Sequence, residues 1–174
     1  EVSEPALIDL SDVRKERLDF MQATYGVSTF SDNFKLFSDC AVVILAVKPQ
    51  QAEEVLLQIA THPGYGIPTR KLFISIAAGI PLFKMEALLY ASLDGGARKR
   101  LPIVRVMPNT PALVLAGMSG MSANVNAAAQ DRMTVRTILS ALGRVMEFKE
   151  AELDAVTALS GSGPAYVFYF IESM

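Results

Sequence analysis

The sequence contains few of the side chains that most often act as nucleophiles, bases or metal ligands. Its 174 residues include one cysteine, one histidine and no tryptophan. The single cysteine, Cys40, excludes an internal disulfide and fits a reducing compartment. Because it begins an apolar run, we expect it to serve packing. The histidine, His62, lies in the segment HPGYG, which predicts a surface loop, with a catalytic role as the minor alternative.

Charge and hydropathy exclude further classes of protein. The net charge is −2, which argues against binding nucleic acid or a membrane surface through bulk charge. The basic cluster at 98–100 follows Asp94-Gly95-Gly96 and is interpreted as a solvated loop tip. No apolar run is long enough to cross a bilayer, and the N-terminus lacks a signal-peptide pattern. We therefore expect a cytoplasmic protein with a small-molecule ligand, and no metal-binding residue is predicted.

Apolar runs alternate with amphipathic segments along most of the chain. The runs AVVILAV (41–47), KLFISIA (71–77) and PIVRVM (102–107) are typical of parallel strands covered on both faces. Strands are also predicted at 6–10, 27–30, 117–123 and 144–149, with helices between them. This order predicts an α/β fold, a doubly wound Rossmann-type parallel sheet with helices on both faces.

Three residues are expected to mark helix ends near the N-terminus. Ser11 and Ser31 are predicted N-caps, and Gly26 is a predicted stop signal. Two further helices are predicted at the other end of the chain, at 150–159 and from Pro164 onward. The last helix, AYVFYFIESM, is apolar almost all round, so it requires burial against other elements.

The predicted strand ends have a common character. Three of them, AVKP (46–49), AAG (77–79) and MPNTP (107–111), consist mainly of small residues or prolines. In parallel α/β sheets ligands bind at the carboxyl ends of the strands, where small residues let the backbone approach a flat ligand. Taken singly each segment is explained by a tight turn, but three in one chain favour a binding site.

The segment SGSG (160–163) precedes Pro164, which suits the first turn of a helix. A helix N-terminus with free N–H groups attracts a carboxylate or phosphate. The alternative is a flexible hinge between a sheet domain and a helical one. No G-x-G-x-x-G motif follows a first strand, so we expect an internal piece of a longer protein, short at both ends.

Four segments in this order, AVKPQ, SIAAGI, RVMPNTPALVLAGM and LSGSGPAYVFYFIESM, resemble those of pyrroline-5-carboxylate reductases. The resemblance covers residues 7–174 and depends most on the pairing of MPNTPA with SGSGPAY. It implies a Rossmann-type domain at 1–149, N-terminally incomplete, and at 150–174 the start of a helical dimerisation and substrate domain. It further implies reduction of 1-pyrroline-5-carboxylate to L-proline with NADPH or NADH, NADPH being preferred, by a homodimer or larger homo-oligomer.

The resemblance also implies roles for individual residues. The implied cofactor-binding residues are Ser11, Asn33, Ala46, Val47, Lys48, Pro49, Ala77, Ala78, Gly79, Met107 and Pro108. The implied substrate-binding residues are Ser160, Gly161, Ser162 and Gly163, and the candidates for catalysis or for ordering water are Asn109, Thr157 and Ser160. Lys48 is equally interpreted as a solvated lysine, and Thr157 and Ser160 equally as helix caps.

Two questions stay open at the level of sequence. An acidic residue at the end of the second Rossmann strand usually binds the ribose 2′-hydroxyl and repels a 2′-phosphate, so Asp9 leaves NADP against NAD undecided. The other question is the reaction, for which a β-hydroxyacid dehydrogenase-type reductase and a non-catalytic nucleotide-binding module are the alternatives. Without a glycine loop and a complete helical domain, the isolated chain is expected to be inactive.

Overall fold

Strands and helices alternate through the computed structural model, which describes residues 3–174. The strands are β1 (Asp9–Ser11), β2 (Ser28–Phe30), β3 (Val42–Leu45), β4 (Leu72–Ser75), β5 (Ile103–Met107), β6 (Gly117–Ala123) and β7 (Gly143–Glu147). The α-helices are α1 (Lys15–Tyr25), α2 (Asn33–Asp39), α3 (Pro49–Ala60), α4 (Leu82–Leu89), α5 (Gly95–Arg100), α6 (Ala129–Ser140), α7 (Leu153–Val156) and α8 (Gly163–Ser173).

The main sheet has five strands in the order β3-β4-β5-β6-β7. Three of its four pairings are parallel, and β5 with β6 is antiparallel. A separate two-stranded parallel sheet is formed by β1 and β2. The predicted α/β fold is therefore confirmed, with a sheet that is mostly rather than wholly parallel. The antiparallel pair reverses the chain at the Pro-rich turn after β5.

Helices cover both faces of the central strands. On one face, Phe73 of β4 and Ile103 of β5 pack with buried residues of α2, α3 and α4. On the other face, Ile74 and Val104 pack against Val135 of α6. Alternate residues of each strand thus enter different clusters, as period-two geometry requires. The prediction that the runs at 71–77 and 102–107 are covered on both faces is confirmed for β4 and β5.

The same prediction is wrong for the run at 41–47. Within β3, Val43 and Leu45 are buried, but Val42 is 38% exposed and Ile44 is 45% exposed. The two exposed residues pair with Leu72 and Ile74, which belong to the cluster beneath α6. Because β3 lies at the edge of the five-stranded sheet, the cluster under α6 includes β4 and β5 but stops short of β3.

Local capping differs from the expectation at two serines. Ser11 is the last residue of β1 and Ser31 precedes the true cap, so neither begins a helix. The N-cap of α2 is Asp32, whose side chain accepts hydrogen bonds from Phe34 N and Lys35 N. Asp32 is a better cap than Ser31 because its carboxylate accepts two N–H groups at a position where the helix dipole favours negative charge. Gly26 ends α1 in the left-handed conformation, as predicted.

The basic cluster at 98–100 is part of a helix rather than a loop tip. Asp94 caps α5 by accepting a hydrogen bond from Ala97 N at 2.7 Å. The side chains of Arg98 and Arg100 donate to the carbonyl oxygens of Leu93 and Ile67. These two side chains therefore anchor the neighbouring loops through hydrogen bonds. A sequence pattern of three consecutive basic residues does not predict such contacts.

The single cysteine and the single histidine both make packing contacts with neighbouring side chains. Cys40 follows α2, packs against the cluster around Phe73, and donates a hydrogen bond through Sγ to Asp9 Oδ2 at 3.5 Å. Burial, and then the neighbouring Asp9, raises the pKa of the Cys40 thiol. His62 lies in an exposed loop, as predicted, and stacks on Phe34 with ring centroids 3.6 Å apart. Among residues 3–174, no helix combines the length and apolarity needed to cross a bilayer.

An ion pair between a buried carboxylate and a half-exposed arginine lies at the amino ends of the central strands. Asp131, whose side chain is 9% exposed, accepts hydrogen bonds from Arg70 Nε at 3.1 Å and from Ala128 N at 2.7 Å. Arg70 also donates to the carbonyl oxygens of Lys99 and Asn126, next to α5 and α6. Burial alone would raise the pKa of Asp131, but these hydrogen bonds and the arginine charges hold it below its ordinary 3.8.

We expect Asp131→Asn to lower the free energy of unfolding by about 2 kcal/mol at pH 7, since the change removes the negative charge that pairs with Arg70 and that favours the first turn of α6. A lowered pKa in the folded state stabilises the fold above pH 3.8 and loses that effect as the pH falls through the folded-state pKa. Urea unfolding at pH 7 and at pH 3 measures both effects.

The matched control is Asp19→Asn, which breaks the exposed pair of Lys15 and Asp19. An exposed pair of this kind contributes less than about 0.5 kcal/mol. A difference between wild type and Asp131→Asn that is the same at pH 7 and pH 3 would contradict the assignment.

Candidate functional site

The carboxyl ends of three parallel strands lie side by side. Leu45 of β3 pairs with Ser75 of β4, and Ser75 pairs with Arg105 of β5. The residues that follow these positions therefore lie side by side at the carboxyl-terminal ends of the strands, here called the rim. The rim comprises Ala46, Val47, Lys48, Pro49, Ala77, Ala78, Gly79, Met107, Pro108 and Asn109. The expectation that the three strand ends lie along one edge agrees with this register.

The rim presents mainly small side chains and backbone. Lys48 precedes α3 at the N-cap position and is exposed, whereas Ala77 lies beneath the surface with 3% exposure. Gly79 is exposed and has φ 71°, a left-handed backbone that favours glycine. Small side chains beside exposed backbone leave room for a flat ligand laid across the strand ends.

Asn109 connects the rim to the C-terminal helical segment. Its Oδ1 accepts a hydrogen bond from Met118 N at 2.9 Å, and its Nδ2 donates to Ser160 Oγ at 3.1 Å. The Met118 N–H can only donate, so the amide oxygen must face it and the NH₂ group must face Ser160. The structure thereby brings together two predicted site residues that are 51 positions apart.

The C-terminal segment is helical through most of its length. A 3₁₀ turn (Glu150–Glu152) leads into α7, a π-helical turn (Thr157–Gly161) follows, and α8 begins at Gly163. Thr157 accepts a hydrogen bond at its carbonyl oxygen from Ser162 N at 2.9 Å, and its Oγ1 donates to Leu153 O at 2.8 Å. Single π turns inside helices occur often at functional sites. Local sequence carries no signal for this turn.

The π turn changes the expectation for the segment at 160–163. Ser160 and Gly161 belong to the π turn rather than to a flexible loop. The N–H of Ser162 is bonded to Thr157 O, and the N–H groups of Ala165 and Tyr166 point to Ser162 O. Fewer N–H groups are therefore open to an anion than at a free helix N-terminus, and anion binding here stays a prediction.

Two glycines let the C-terminal segment lie close against the sheet. A Cβ at Gly161 would meet Met107 Cε at 2.8 Å, and a Cβ at Gly120 would meet Val156 Cγ1 at 2.9 Å. Leu153, beside Gly120, is completely buried. Met107 and the predicted substrate-binding residues are consequently neighbours at the end of β5.

A second group of predicted residues lies at the end of β1. Ser11 is the last residue of β1, and its Oγ donates to Asn33 Oδ1 at 2.8 Å. Asn33 in turn donates to Gln58 Oε1 at 2.8 Å. Asp9 begins the strand, two residues before its end, and accepts the hydrogen bond from Cys40. The strand therefore ends on a hydroxyl rather than on the carboxylate of Asp9.

Several charged residues near these groups were not anticipated. Arg14 and Arg17 follow β1 and lie 3.8 and 3.7 Å from the carboxylate of Asp12. Arg105, inside β5, is buried and faces Glu150. The available signals were two basic residues just after a polar strand end and a charged residue within the apolar run IVRVM.

An open groove of about 450 Å³ lies between α4 and the end of β6, lined in part by Phe83, Asn124 and Phe148. None of the residues predicted for the site lines this groove. The candidate site is therefore the rim and the π turn, a surface across strand ends rather than a deep cavity.

Comparisons with known proteins divide the chain in two. Residues 10–79 match the family described as "NADP oxidoreductase coenzyme F420-dependent", and residues 150–174 match "Pyrroline-5-carboxylate reductase dimerisation". The chain is 40% identical over 170 residues to the pyrroline-5-carboxylate reductase of Methanosarcina acetivorans, covering 98% of this chain and 58% of that protein. It thus spans a little over half the length of this relative.

Solved structures give the same picture. The pyrroline-5-carboxylate reductase of Coxiella burnetii is 35% identical with a TM-score of 0.81, over 98% of this chain and 59% of that one. The pyrroline carboxylate reductase of Plasmodium falciparum, solved with NADP bound, is 33% identical with a TM-score of 0.77, over 97% and 57%.

We expect Gly120→Ala to loosen the C-terminal segment, since the new methyl group crowds Val156, Leu153 and Phe148 at once. Overpacking of this kind costs about 1–3 kcal/mol. Limited proteolysis after residue 150, together with thermal unfolding, measures the change. Gly95→Ala is the control, because its Cβ would meet nothing within 4 Å and it lies in α5. Equal protease resistance of the two variants would show that the close approach at Gly120 is not needed.

Proposed function

Because the chain belongs to the pyrroline-5-carboxylate reductase family, we propose that the protein containing it reduces 1-pyrroline-5-carboxylate to L-proline with NADPH. The observation that carries the proposal is the hydrogen bond from Asn109 to Ser160. It links the end of β5 to the π turn, and this supports the proposal that the hydride donor and its acceptor meet there. A domain boundary near 149/150 is part of the same proposal.

The proposed reaction requires little acid–base chemistry from the protein. The substrate is a cyclic imine that carries a carboxylate, and protonation of its nitrogen makes the C=N carbon an acceptor for hydride. A bound reduced nicotinamide supplies that hydride. The chain's own residues then hold the ring in position and exclude water, which accounts for a large share of the rate in such reactions. A protein with one loop histidine suits this demand.

The rim and the π turn provide the proposed binding groups. Met107, Pro108 and the small residues at 77–79 line the nicotinamide side, and 160–163 borders the substrate. Ser160 Oγ accepts the hydrogen bond from Asn109, so the hydroxyl proton of Ser160 is left to donate elsewhere. We assign this donor to the substrate carboxylate or to an ordered water. The hydroxyl proton of Thr157 is already bonded to Leu153 O, which leaves Thr157 only as an acceptor.

The surroundings of β1 support NADPH over NADH. A 2′-phosphate is repelled by a carboxylate at the strand end, and here Ser11 occupies that position. The NH₂ group of Asn33 has a second N–H besides the one bonded to Gln58, which can donate to a ribose or its phosphate, and Ser11 can accept from a ribose hydroxyl. Arg14 and Arg17 supply positive charge nearby. Lys48 is exposed beside the rim and is proposed to contact the cofactor.

The C-terminal helix supports assembly into a homodimer or larger oligomer. Aromatic side chains on all sides of α8 are exposed: Tyr166 at 67%, Phe168 at 59%, Tyr169 at 74% and Phe170 at 64%. An apolar surface of this extent is characteristic of an interface. We expect the isolated 174-residue chain to be inactive, because it spans little more than half the length of its active relatives.

The direct test adds 1-pyrroline-5-carboxylate to the full-length gene product and follows oxidation of NADPH and of NADH. We expect turnover with both and a higher kcat/KM with NADPH. A preference for NADH would overturn the assignment of Ser11, Arg14 and Arg17. Cofactor binding without turnover would instead support a sibling reductase or a non-catalytic nucleotide-binding module.

We expect Asn109→Ala to lower kcat about tenfold or more, because Ser160 loses the bond that orients it. The free energy of unfolding should fall by about 2 kcal/mol, because the change removes two side-chain hydrogen bonds, to Ser160 Oγ and from Met118 N. Asn126→Ala is the control, since it removes an asparagine side-chain hydrogen bond outside the candidate site, to Tyr90 Oη. An unchanged kcat in Asn109→Ala would remove this residue from the site.

A further inference from the structure

A buried charge lies in the strand that leads to the rim. The side chain of Arg105, in β5, is 6% exposed. A guanidinium stays charged at every accessible pH, so its burial is tolerated only beside opposite charge. Nη1 lies 3.4 Å from Glu150 Oε1 and Nη2 lies 3.3 Å from Asp154 Oδ1. Both partners belong to the C-terminal segment, 45 and 49 residues further along the chain.

The carboxylate of Glu150 makes a second contact. Its Oε1 also accepts a hydrogen bond from Leu82 N at 2.5 Å, the first residue of α4. The residue before this helix is Pro81, which supplies no side-chain cap. Glu150 therefore caps α4 from a distance, at the position where the helix dipole favours a negative charge. Since α4 starts just after Gly79, one carboxylate joins β5, the strand end after β4 and the C-terminal segment.

The C-terminal segment is consequently attached to β5 at two points. Arg105 holds the start of the segment, and Asn109 holds Ser160 at its π turn. The four residue steps from Arg105 to Asn109 span about 13 Å in extended backbone. Ten helical residues, from 150 to 160, span about 15 Å. The two lengths are close, so both attachments form together, and between them Leu153 lies buried beside Gly120.

We propose that Arg105 and Glu150 form a positioning pair, which sets the C-terminal segment along β5 so that Ser160 meets Asn109. Neither residue touches the proposed substrate or cofactor, and both act through the placement of the π turn. The inference rests on the proposed function for its effect on turnover. Its effect on the structure of the segment is independent of that function.

The decisive variant is Glu150→Gln in the full-length protein. The glutamine oxygen still accepts the Leu82 N–H, so the cap of α4 is kept and only the charge facing Arg105 is lost. We expect kcat to fall about tenfold while the KM for NADPH changes less than twofold. A second variant, Arg105→Lys, keeps the charge but lacks the fork that reaches two carboxylates, and its kcat should lie between those of wild type and Glu150→Gln.

Hydrogen exchange supplies a readout that does not depend on activity. The amide of Ser162 is bonded to Thr157 O within the π turn, and the amide of Met118 is bonded to Asn109 Oδ1. In Glu150→Gln both amides should exchange at least tenfold faster. The amide of Phe73, in the middle of the sheet, should keep its wild-type rate.

The matched control is Asp131→Asn, which also removes a paired carboxylate but lies at the amino ends of the central strands. It should lower the melting temperature and leave kcat and the exchange of Ser162 unchanged. The proposal is overturned if the wild type is active and folded Glu150→Gln retains both kcat and Ser162 exchange. If the wild type itself shows no turnover, the proposed function fails, and the exchange rates alone decide whether Arg105 and Glu150 position the segment.

Discussion

The hydrogen bonds of one amide side chain hold the two halves of the candidate site together. Asn109 lies at the rim, two residues after β5 ends. Because the Met118 N–H can only donate, the positions of the amide oxygen and nitrogen of Asn109 are unambiguous. Everything proposed for Ser160 depends on this orientation, since an accepting hydroxyl keeps its own proton for a ligand. The close approach that makes the bond possible depends in turn on Gly120, where a Cβ would crowd Val156, Leu153 and Phe148.

Two groups of charged residues stabilise the sheet, one at the amino ends of the central strands and one within β5. At the amino ends of the central strands, opposite the rim, Arg70 and Asp131 join α5 and α6, and we assign this pair a role in stability. Within β5, Arg105 is buried on the face that carries the C-terminal segment, and its partners belong to that segment. A buried charge that loses its partner costs several kcal/mol of stability. The segment therefore cannot shift along β5 unless Arg105 becomes exposed or finds another carboxylate. This constraint gives a physical reason for a charged residue in an otherwise apolar strand.

Much of the fold was predictable from local patterns, and the failures have identifiable causes. The β-branched runs correctly located β3, β4 and β5, and Gly26 correctly ended α1. The expectation of burial on both faces failed at β3 because strand order, which decides which strand lies at an edge, is not encoded in the run itself. Ser11 was expected to cap a helix but ends a strand and bonds to Asn33, since pairing with β2 competes successfully with a weak local capping signal.

The sequence by itself determined the family and the α/β class, because apolar periodicity and the MPNTPA and SGSGPAY segments are local properties of the chain. It also predicted the candidate site at the strand ends, because a parallel sheet brings those ends together. Tertiary structure alone decided that Asn109 bonds Ser160, that Arg105 faces Glu150, and that Thr157–Gly161 forms a π turn. The two side-chain contacts join residues 51 and 45 positions apart, and their geometry depends on how closely the helical segment packs against β5 and β6. No periodicity within one element carries that information.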